Sequence, residues 1–158
     1  MTIETDMEVG SPSSPYISYL YPQFLGLNSL DLIKKNNSTK AKAAVRTAIA
    51  AMKDAAASSD WNFTNKLRLL EAEQQSLRRT HRDAIPLYEV AIEFAKKSGF
   101  IHEQGLACEK AAFYFLKVKN KEKALEYFKQ ARECYEDWGS FVKVDFIQKE
   151  LDGLNLNS

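Results

Sequence analysis

One dipeptide matches the first half of a metal-binding motif. His102 and Glu103 lie on a predicted helix, as the first two residues of the zinc-protease motif His-Glu-x-x-His do. That motif needs a second histidine four residues after the first, on the same helical face, and this position is Leu106. The only other histidine, His81, falls in a predicted turn and has no third ligand near it in sequence. The sequence therefore predicts no metal site.

Carboxylates and thiols could also support catalysis, so their surroundings decide whether an enzyme is expected. Glu71, Glu73 and Glu109 could be imagined as an acid and base pair, but such a pair needs an enclosed pocket and a partner that shifts one pKa. The sequence indicates neither. Cys108 has no basic neighbour in sequence that would lower the pKa of its thiol. None of the six glycines precedes a lysine, which excludes a Gly-x-x-x-x-Gly-Lys phosphate loop. No enzymatic activity and no cofactor are expected.

Composition and charge exclude further classes. The chain has 158 residues, a length that suits one domain with one core, and a formal net charge of +1. A general nucleic-acid binder would show a basic surplus, so nucleic acid is not an expected partner. The most apolar segment, Tyr16–Ile33, is interrupted by Pro22, Gly26 and Asp31, which argues against a membrane span. No signal peptide is visible, and the cytoplasm is the expected compartment.

The segments that carry these residues are all predicted to be helical. Residues 1–14 are predicted to be a disordered acidic leader, residues 15–154 a single helical domain, and residues 155–158 a disordered tail. Pro22 is expected to bend or start the first helix. No segment shows the alternation of a strand. The predicted helices are Tyr16–Lys35, Thr39–Ser58, Asn62–Arg79, Asp83–Lys97, Phe100–Lys119, Lys121–Trp138 and Phe141–Leu151.

A pattern of small and aromatic residues repeats at an interval of forty residues. Ala84, Tyr88 and Ala91 match Ala124, Phe128 and Ala131. Alanines at this spacing let a neighbouring helix approach closely, while the aromatic residue fills the gap between helices. The pattern also continues earlier, without the aromatic residue, at Ala44, Ala48, Ala51 and Ala55. We predict an all-α fold, a tetratricopeptide-like antiparallel helix-hairpin solenoid that forms a right-handed α-α superhelix. The alternative is another antiparallel helical bundle.

Several short motifs together resemble a known family region. They are Asn62-Phe63, Leu70 to Glu73, Gly99 to Ile101, Tyr135 to Gly139 and Lys143-Val144. The chain is similar, over most of residues 60–151, to the tetratricopeptide-like helical region of large multidomain signalling proteins that combine a serine-threonine kinase, a STAND ATPase and a sensor histidine kinase. The resemblance implies a role in holding and contacting other proteins, with a kinase or a two-component signalling protein as the kind of partner. It does not carry over ATPase or kinase activity, because their motifs are missing.

These observations predict a non-enzymatic protein-protein interaction scaffold. The alternatives are a detached remnant of such a signalling protein without independent activity, an enzyme whose site forms from scattered residues, and an RNA-binding helical repeat. The two ends of the array are expected to need covers. Hydrophobic residues of the N-terminal segment are expected to cover the alanine-rich helix, and deletion of residues 1–35 is expected to cause self-association through the exposed surface. The covering residues are Tyr16, Tyr19, Leu20, Phe24, Leu27 and Leu30. The last helix is expected to bury Phe141, Val144, Ile147 and Leu151 behind a polar outer face.

The binding site is predicted on the first helix of each hairpin, which lines the concave face in tetratricopeptide-like arrays. Here those helices are Asn62–Arg79 and Phe100–Lys119. Glu73 and Glu109 lead us to expect a mixed apolar and acidic groove, suited to a protein or peptide helix with basic and leucine positions. Phe113 could instead pack in the core. The predicted groove residues are Lys66, Leu69, Glu73, Ser76, Leu106, Glu109, Phe113 and Lys117.

Overall fold

The computed structural model describes residues 15–78 and 81–156, and side-chain surroundings for residues 20–78 and 82–154. These residues form seven α-helices and one short 3-10 helix at His81–Asp83, with no strand among them. The all-α prediction is confirmed. The predicted leader and the last two residues of the predicted tail lie outside the described part. The helices are α1 (Pro15–Asn36), α2 (Thr39–Ser58), α3 (Asp60–Gln75), α4 (Ala84–Lys97), α5 (Ile101–Lys117), α6 (Lys121–Trp138) and α7 (Phe141–Leu156).

Most helix ends lie where local sequence signals predict them, and the others differ from the prediction. Gly99 and Gly139 adopt the left-handed conformation expected after a helix, with φ of 70° and 79°. Pro22 lies inside an uninterrupted α1 instead of starting it. Helix α3 ends at Gln75, before the predicted Arg79, and the amine of Lys117 binds the carbonyl of Ser76 at 2.6 Å. Helix α7 extends five residues past its predicted end at Leu151, so it includes the first two residues of the predicted tail.

Short turns join the helices, and each helix packs against the next along the chain. Two contacts skip a helix: α1 touches α3, and α3 touches α5. These contacts set three odd-numbered helices side by side, with the even-numbered helices packed against them. This arrangement brings together residues of α1 and α5 that are about eighty positions apart in sequence.

The repeated alanine and aromatic stripes form the seams between helices. Ala84, Tyr88 and Ala91 in α4, like the matching Ala124, Phe128 and Ala131 in α6, are buried in one continuous hydrophobic core. The stripe in α2 is shifted from the prediction, because Ala44 and Ala51 remain partly exposed. Larger side chains fill the core on this helix. Its buried residues are Ala41, Val45, Ala48, Ile49, Met52 and Ala55.

The side chains that are buried in α1 and α7, the first and last described helices, differ in part from the prediction. In α1, Leu27 and Leu30 are buried as predicted, whereas Phe24 is 55 % exposed. The predicted contributions of Tyr16 and Tyr19 lie outside the described side chains. In α7, Ile147 and Leu151 are buried. Phe141 is 73 % exposed, so the prediction that it is buried is wrong.

Gly105 allows the closest approach between α5 and α6. A Cβ atom at this position would lie 3.0 Å from the Tyr135 ring and 3.1 Å from Cys134 Cβ. The ring is held in place because its hydroxyl donates to Glu109 at 2.7 Å. We expect Gly105→Ala to lower the free energy of unfolding by about 1–2 kcal/mol, since overpacking outweighs the gain in helix propensity. Urea unfolding followed by circular dichroism measures this change.

Gly153 in α7 provides the matched control. A Cβ atom there would have no other atom within 4 Å. Gly153→Ala is therefore expected to raise the free energy of unfolding by up to about 1 kcal/mol in dilute solution. Equal effects of the two substitutions would show that the approach of α5 to α6 is looser than described.

Candidate functional site

The eight predicted groove residues differ widely in accessibility. Lys66, Leu69 and Glu73 on α3 are buried, as are Ser76, which directly follows α3, and Glu109 on α5. Leu106 and Phe113 are half-buried, and Lys117 is exposed. The structure brings Glu73, Ser76, Phe113 and Lys117 together around one cleft, and it places Leu106 at another. Only three of the eight are therefore accessible to a partner.

Lys66 is the least accessible charged residue of the predicted groove. Its side chain is 2 % exposed, and its amine lies 2.8 Å from both Glu103 Oε2 and the carbonyl of Asn62. The amine also lies 4.7 Å from the centre of the Phe100 ring, a cation-π contact. Asn65 donates a further hydrogen bond to Glu103. This buried ion pair joins α3 to α5 and keeps the Lys66 amine out of reach of a partner.

Two glutamates of the predicted groove occupy equivalent buried clusters. Glu73 in α3 accepts hydrogen bonds from Tyr88 in α4 and, at 2.7 Å, from Lys34 in α1. Glu109 in α5 accepts from Tyr135 in α6 at 2.7 Å and from Lys143 in α7 at 2.9 Å. Each carboxylate therefore joins three helices through one tyrosine and one lysine. The surface is not acidic at these positions, because both charges are buried and paired.

The same clusters shift the protonation of their partners. Burial, reinforced by the negative charge of Glu73, raises the pKa of the Tyr88 hydroxyl well above its usual range. Burial and Glu109 raise the pKa of Tyr135 in the same direction. Burial alone would lower the pKa of Lys34, but Glu73 and Asp31 outweigh it and raise the value. All three groups therefore hold their protons more firmly in the folded protein.

Two accessible clefts lie along α5, with α1 on one side of each; we call them together the inner groove. Each cleft is lined by residues of both helices. The first, the apolar pocket, has a volume of about 330 Å³ and lies at the N-terminal end of α5. Trp138, which is 52 % exposed, stacks on His102 at its edge, with 5.1 Å between ring centres. The pocket is lined by Leu20, Gln23, Phe24, His102, Glu103, Leu106, Tyr135, Trp138 and Lys143.

The second cleft of the inner groove, the lysine cleft, has a volume of about 540 Å³ and lies towards the C-terminal end of α5. Lys110 lies 3.9 Å from Asp31, which also binds Lys34 at 3.2 Å. Phe113 lies between the lysines and packs edge-on against Phe128, so it serves both the core and the cleft. The cleft is lined by Asp31, Lys34, Glu73, Ser76, Leu77, Tyr88, Lys110, Phe113, Tyr114 and Lys117.

The accessible stripe on α5 differs from the predicted one by a single residue. It consists of Leu106, Lys110, Phe113 and Lys117, whereas the prediction had Glu109 in place of Lys110. Lys110 could have been predicted from the sequence, because spacings of 4, 3 and 4 residues place all four of these side chains on one face of the helix. No sequence pattern indicated that α1 and Trp138 line the same clefts, since only tertiary packing brings them next to α5.

A larger cleft of about 600 Å³ lies on the other side of the molecule, between α4, α5 and α6. Glu89, Glu93, Lys96 and Lys97 surround it with charged side chains of both signs. No exposed large apolar side chain lines it, so it lacks an anchor for a partner. We therefore treat the inner groove as the candidate site.

The structure shows the surroundings of the Cys108 thiol and of the groups that could ligate a metal in the described part. Burial raises the pKa of the Cys108 thiol to about 12, which keeps it protonated and unreactive at neutral pH. No set of three or more His, Cys, Asp or Glu side chains in the described part is arranged to hold a metal ion. Among the described helices, none has the length and apolar character needed to cross a membrane.

Comparisons with known proteins add no relative. No family model matches this sequence, and no curated protein or solved structure matches it at a significant level. The resemblance to the helical region of multidomain signalling proteins therefore remains an expectation from short motifs.

Proposed function

We propose that this protein is a non-enzymatic interaction module that binds a segment of another protein in the inner groove. The observation that carries the proposal is the inner groove itself, in which exposed aromatic residues adjoin a lysine-rich cleft. Large exposed apolar groups at the edge of a pocket are typical of protein-binding sites. The side-by-side odd-numbered helices also favour a tetratricopeptide-like solenoid over other helical bundles. We further propose a right-handed superhelix for the array.

The two ends of the inner groove define the partner's chemistry. A bulky leucine or aromatic side chain suits the apolar pocket, where Phe24 and Trp138 would cover it. Acidic side chains suit the lysine cleft, because three lysines there face two carboxylates, and one of those, Glu73, is buried. Leu106 and Phe113 are about 10 Å apart along α5, which matches two turns of a partner helix. We therefore propose an amphipathic helix with an apolar anchor about two turns from its acidic residues.

We also propose that the module acts as a scaffold in the cytoplasm, and that the partner segment belongs to a kinase or a two-component signalling protein. The resemblance and the sequence patterns alone support this part. This part of the proposal concerns which protein the bound segment belongs to, and it does not change the chemistry by which the inner groove recognises that segment.

Selection from a random peptide library displayed on phage tests the proposed groove. We expect the parent protein to enrich peptides with a bulky apolar residue and nearby acids. Fluorescence anisotropy with such a peptide should show affinity that falls as salt is added, because the lysines are accessible to screening. Trp138→Ala and Lys110→Glu are each expected to weaken binding by about tenfold or more.

Two matched controls separate the groove from general surface effects. Trp61→Ala removes an equally exposed tryptophan on α3, and Lys129→Glu reverses an exposed charge on α6, both outside the inner groove. Both controls should retain parental affinity. Selected peptides that are basic, or that bind the groove variants as tightly as the parent, would overturn the proposal.

A further inference from the structure

One face of α7 has none of the described helices packed on it. Every α7 residue of this face is exposed, and the face extends from Phe141 to Gly153. Phe141 is 73 % exposed and Val142 is 83 % exposed, the two highest values among the large apolar side chains described. Phe146, at the same face, is partly exposed. Apolar side chains grouped in this way on a terminal helix are typical of an interface.

The charges of this face complement a second copy of themselves. Asp145 and Lys149 are exposed, and neither takes part in an ion pair among the described residues. Two other charged groups of α7 are already engaged, since Lys143 binds Glu109 and Asp152 accepts from Gln148. When two α7 helices are placed antiparallel about a two-fold axis at the level of residue 147, Asp145 of each copy faces Lys149 of the other.

The same register also matches large side chains with an open position. Residues whose numbers add to 294 face each other across this axis, so Phe141 of one copy lies opposite Gly153 of the other. A Cβ atom at Gly153 would meet no other atom of its own chain within 4 Å, which leaves space for an aromatic ring. The two Phe146 rings then lie close to the axis. Charge and shape therefore agree on one register.

We infer that α7 is a homodimer interface, in which two copies of this chain pair their α7 helices antiparallel. The faces are about 18 Å long. The three apolar side chains expose on the order of 350 Å² per copy, so with the polar rim the interface reaches about the 1,000 Å² that a specific contact requires. A contact of this size is weak and reversible. Most of this face is separate from the inner groove, because Phe141, Val142, Asp145 and Lys149 line neither of its clefts, while Phe146 packs against Phe113 of the lysine cleft with 6.2 Å between ring centres.

Charge exchange tests this register by sedimentation velocity over a wide range of protein concentration. Asp145→Lys and Lys149→Asp each place like charges opposite each other twice, so each should weaken dimerisation about tenfold or more. Combining both substitutions in one chain restores two complementary pairs and should restore the parental dimer. An equimolar mixture of the two single variants should also dimerise, because every pair across that heterodimer is complementary.

The charge changes need a control elsewhere on the protein. Lys42→Asp and Asp54→Lys make the same changes on exposed positions of α2, and they should leave dimerisation as in the parent. Val142→Glu should abolish the dimer without unfolding the chain, since its side chain is largely exposed. A parent that remains monomeric at all concentrations overturns the inference. A dimer that is insensitive to the single charge reversals overturns it as well.

Discussion

Replacement of Glu103 by leucine is expected to lower the free energy of unfolding by about 3–5 kcal/mol, the cost of leaving a buried charge without its partner. Lys66 would then keep its ammonium group at a site that is 2 % exposed, with the carbonyl of Asn62 as its remaining acceptor. The Phe100 ring contributes only a cation-π contact. Since a small domain has about 5–15 kcal/mol of stability, this one substitution removes a large part of it.

A double-mutant cycle distinguishes the ion pair from simple packing at this site. Lys66→Met alone leaves the Glu103 carboxylate buried without its cation, and it should also be strongly destabilising. The double variant, with methionine and leucine at the two positions, should recover most of the loss, because a well-packed apolar pair needs no compensation. Chemical denaturation at neutral pH gives all four values. Purely additive losses would falsify the assignment of Lys66 and Glu103 as a coupled buried pair.

Alkaline pH is expected to unfold the protein steeply, with Tyr88 and Tyr135 together lowering the stability by about 3 kcal/mol per pH unit above pH 10. Burial and the adjacent Glu73 or Glu109 raise the pKa of both hydroxyls above the usual 10.0. The unfolded chain therefore releases these protons first as the pH rises, so the stabilisation is complete below pH 10 and is lost above it. Urea midpoints measured across this range give the slope.

Removal of the two hydroxyls isolates their contribution. The double variant Tyr88→Phe/Tyr135→Phe should start from a lower stability at neutral pH, because both carboxylates lose a donor, but its alkaline slope should be shallower. The Cys108 thiol, with a pKa raised to about 12, adds a loss in the same direction in both proteins and cancels in the comparison. Tyr21→Phe, at an exposed tyrosine, is the control. Equal slopes for the parent and the double variant would contradict the buried clusters.

Both of these expectations concern contacts that hold the odd-numbered helices in place. Glu73 ties α3 to α1, Glu103 ties α5 to α3, and Glu109 ties α5 to α7. Buried ion pairs of this kind add little net stability, but they penalise every arrangement that separates the partners. They therefore set the relative positions of the helices that line the inner groove.

The sequence by itself determined the helical elements. The spacing of alanine and aromatic residues in α4 and α6 predicted which side of each helix is buried, because residues three and four apart share one face. The bounds of α2 and α6 agree with the prediction, because the side chains of Ser38 and Asn120 cap the first turns. They accept hydrogen bonds from the backbone amides of Ala41 and Lys123, respectively. Local hydrogen bonds of this kind depend on neighbouring residues and so can be recognised in sequence.

Only the tertiary structure decided what each helical face meets. Lys66 and Glu109 resembled groove residues, yet both are buried, because Glu103 and Lys143 come from other helices to neutralise them. Lys110, next to Glu109 in sequence, lies in the accessible cleft instead. Helical periodicity predicts which face of a helix a residue lies on, but with an uncertainty of about one residue. Successive residues are separated by about 100° around the axis, so a shift of one position moves a side chain from a buried face to an accessible one. The direction of that face, towards a neighbouring helix or an open groove, depends on the packing of segments that are distant along the chain.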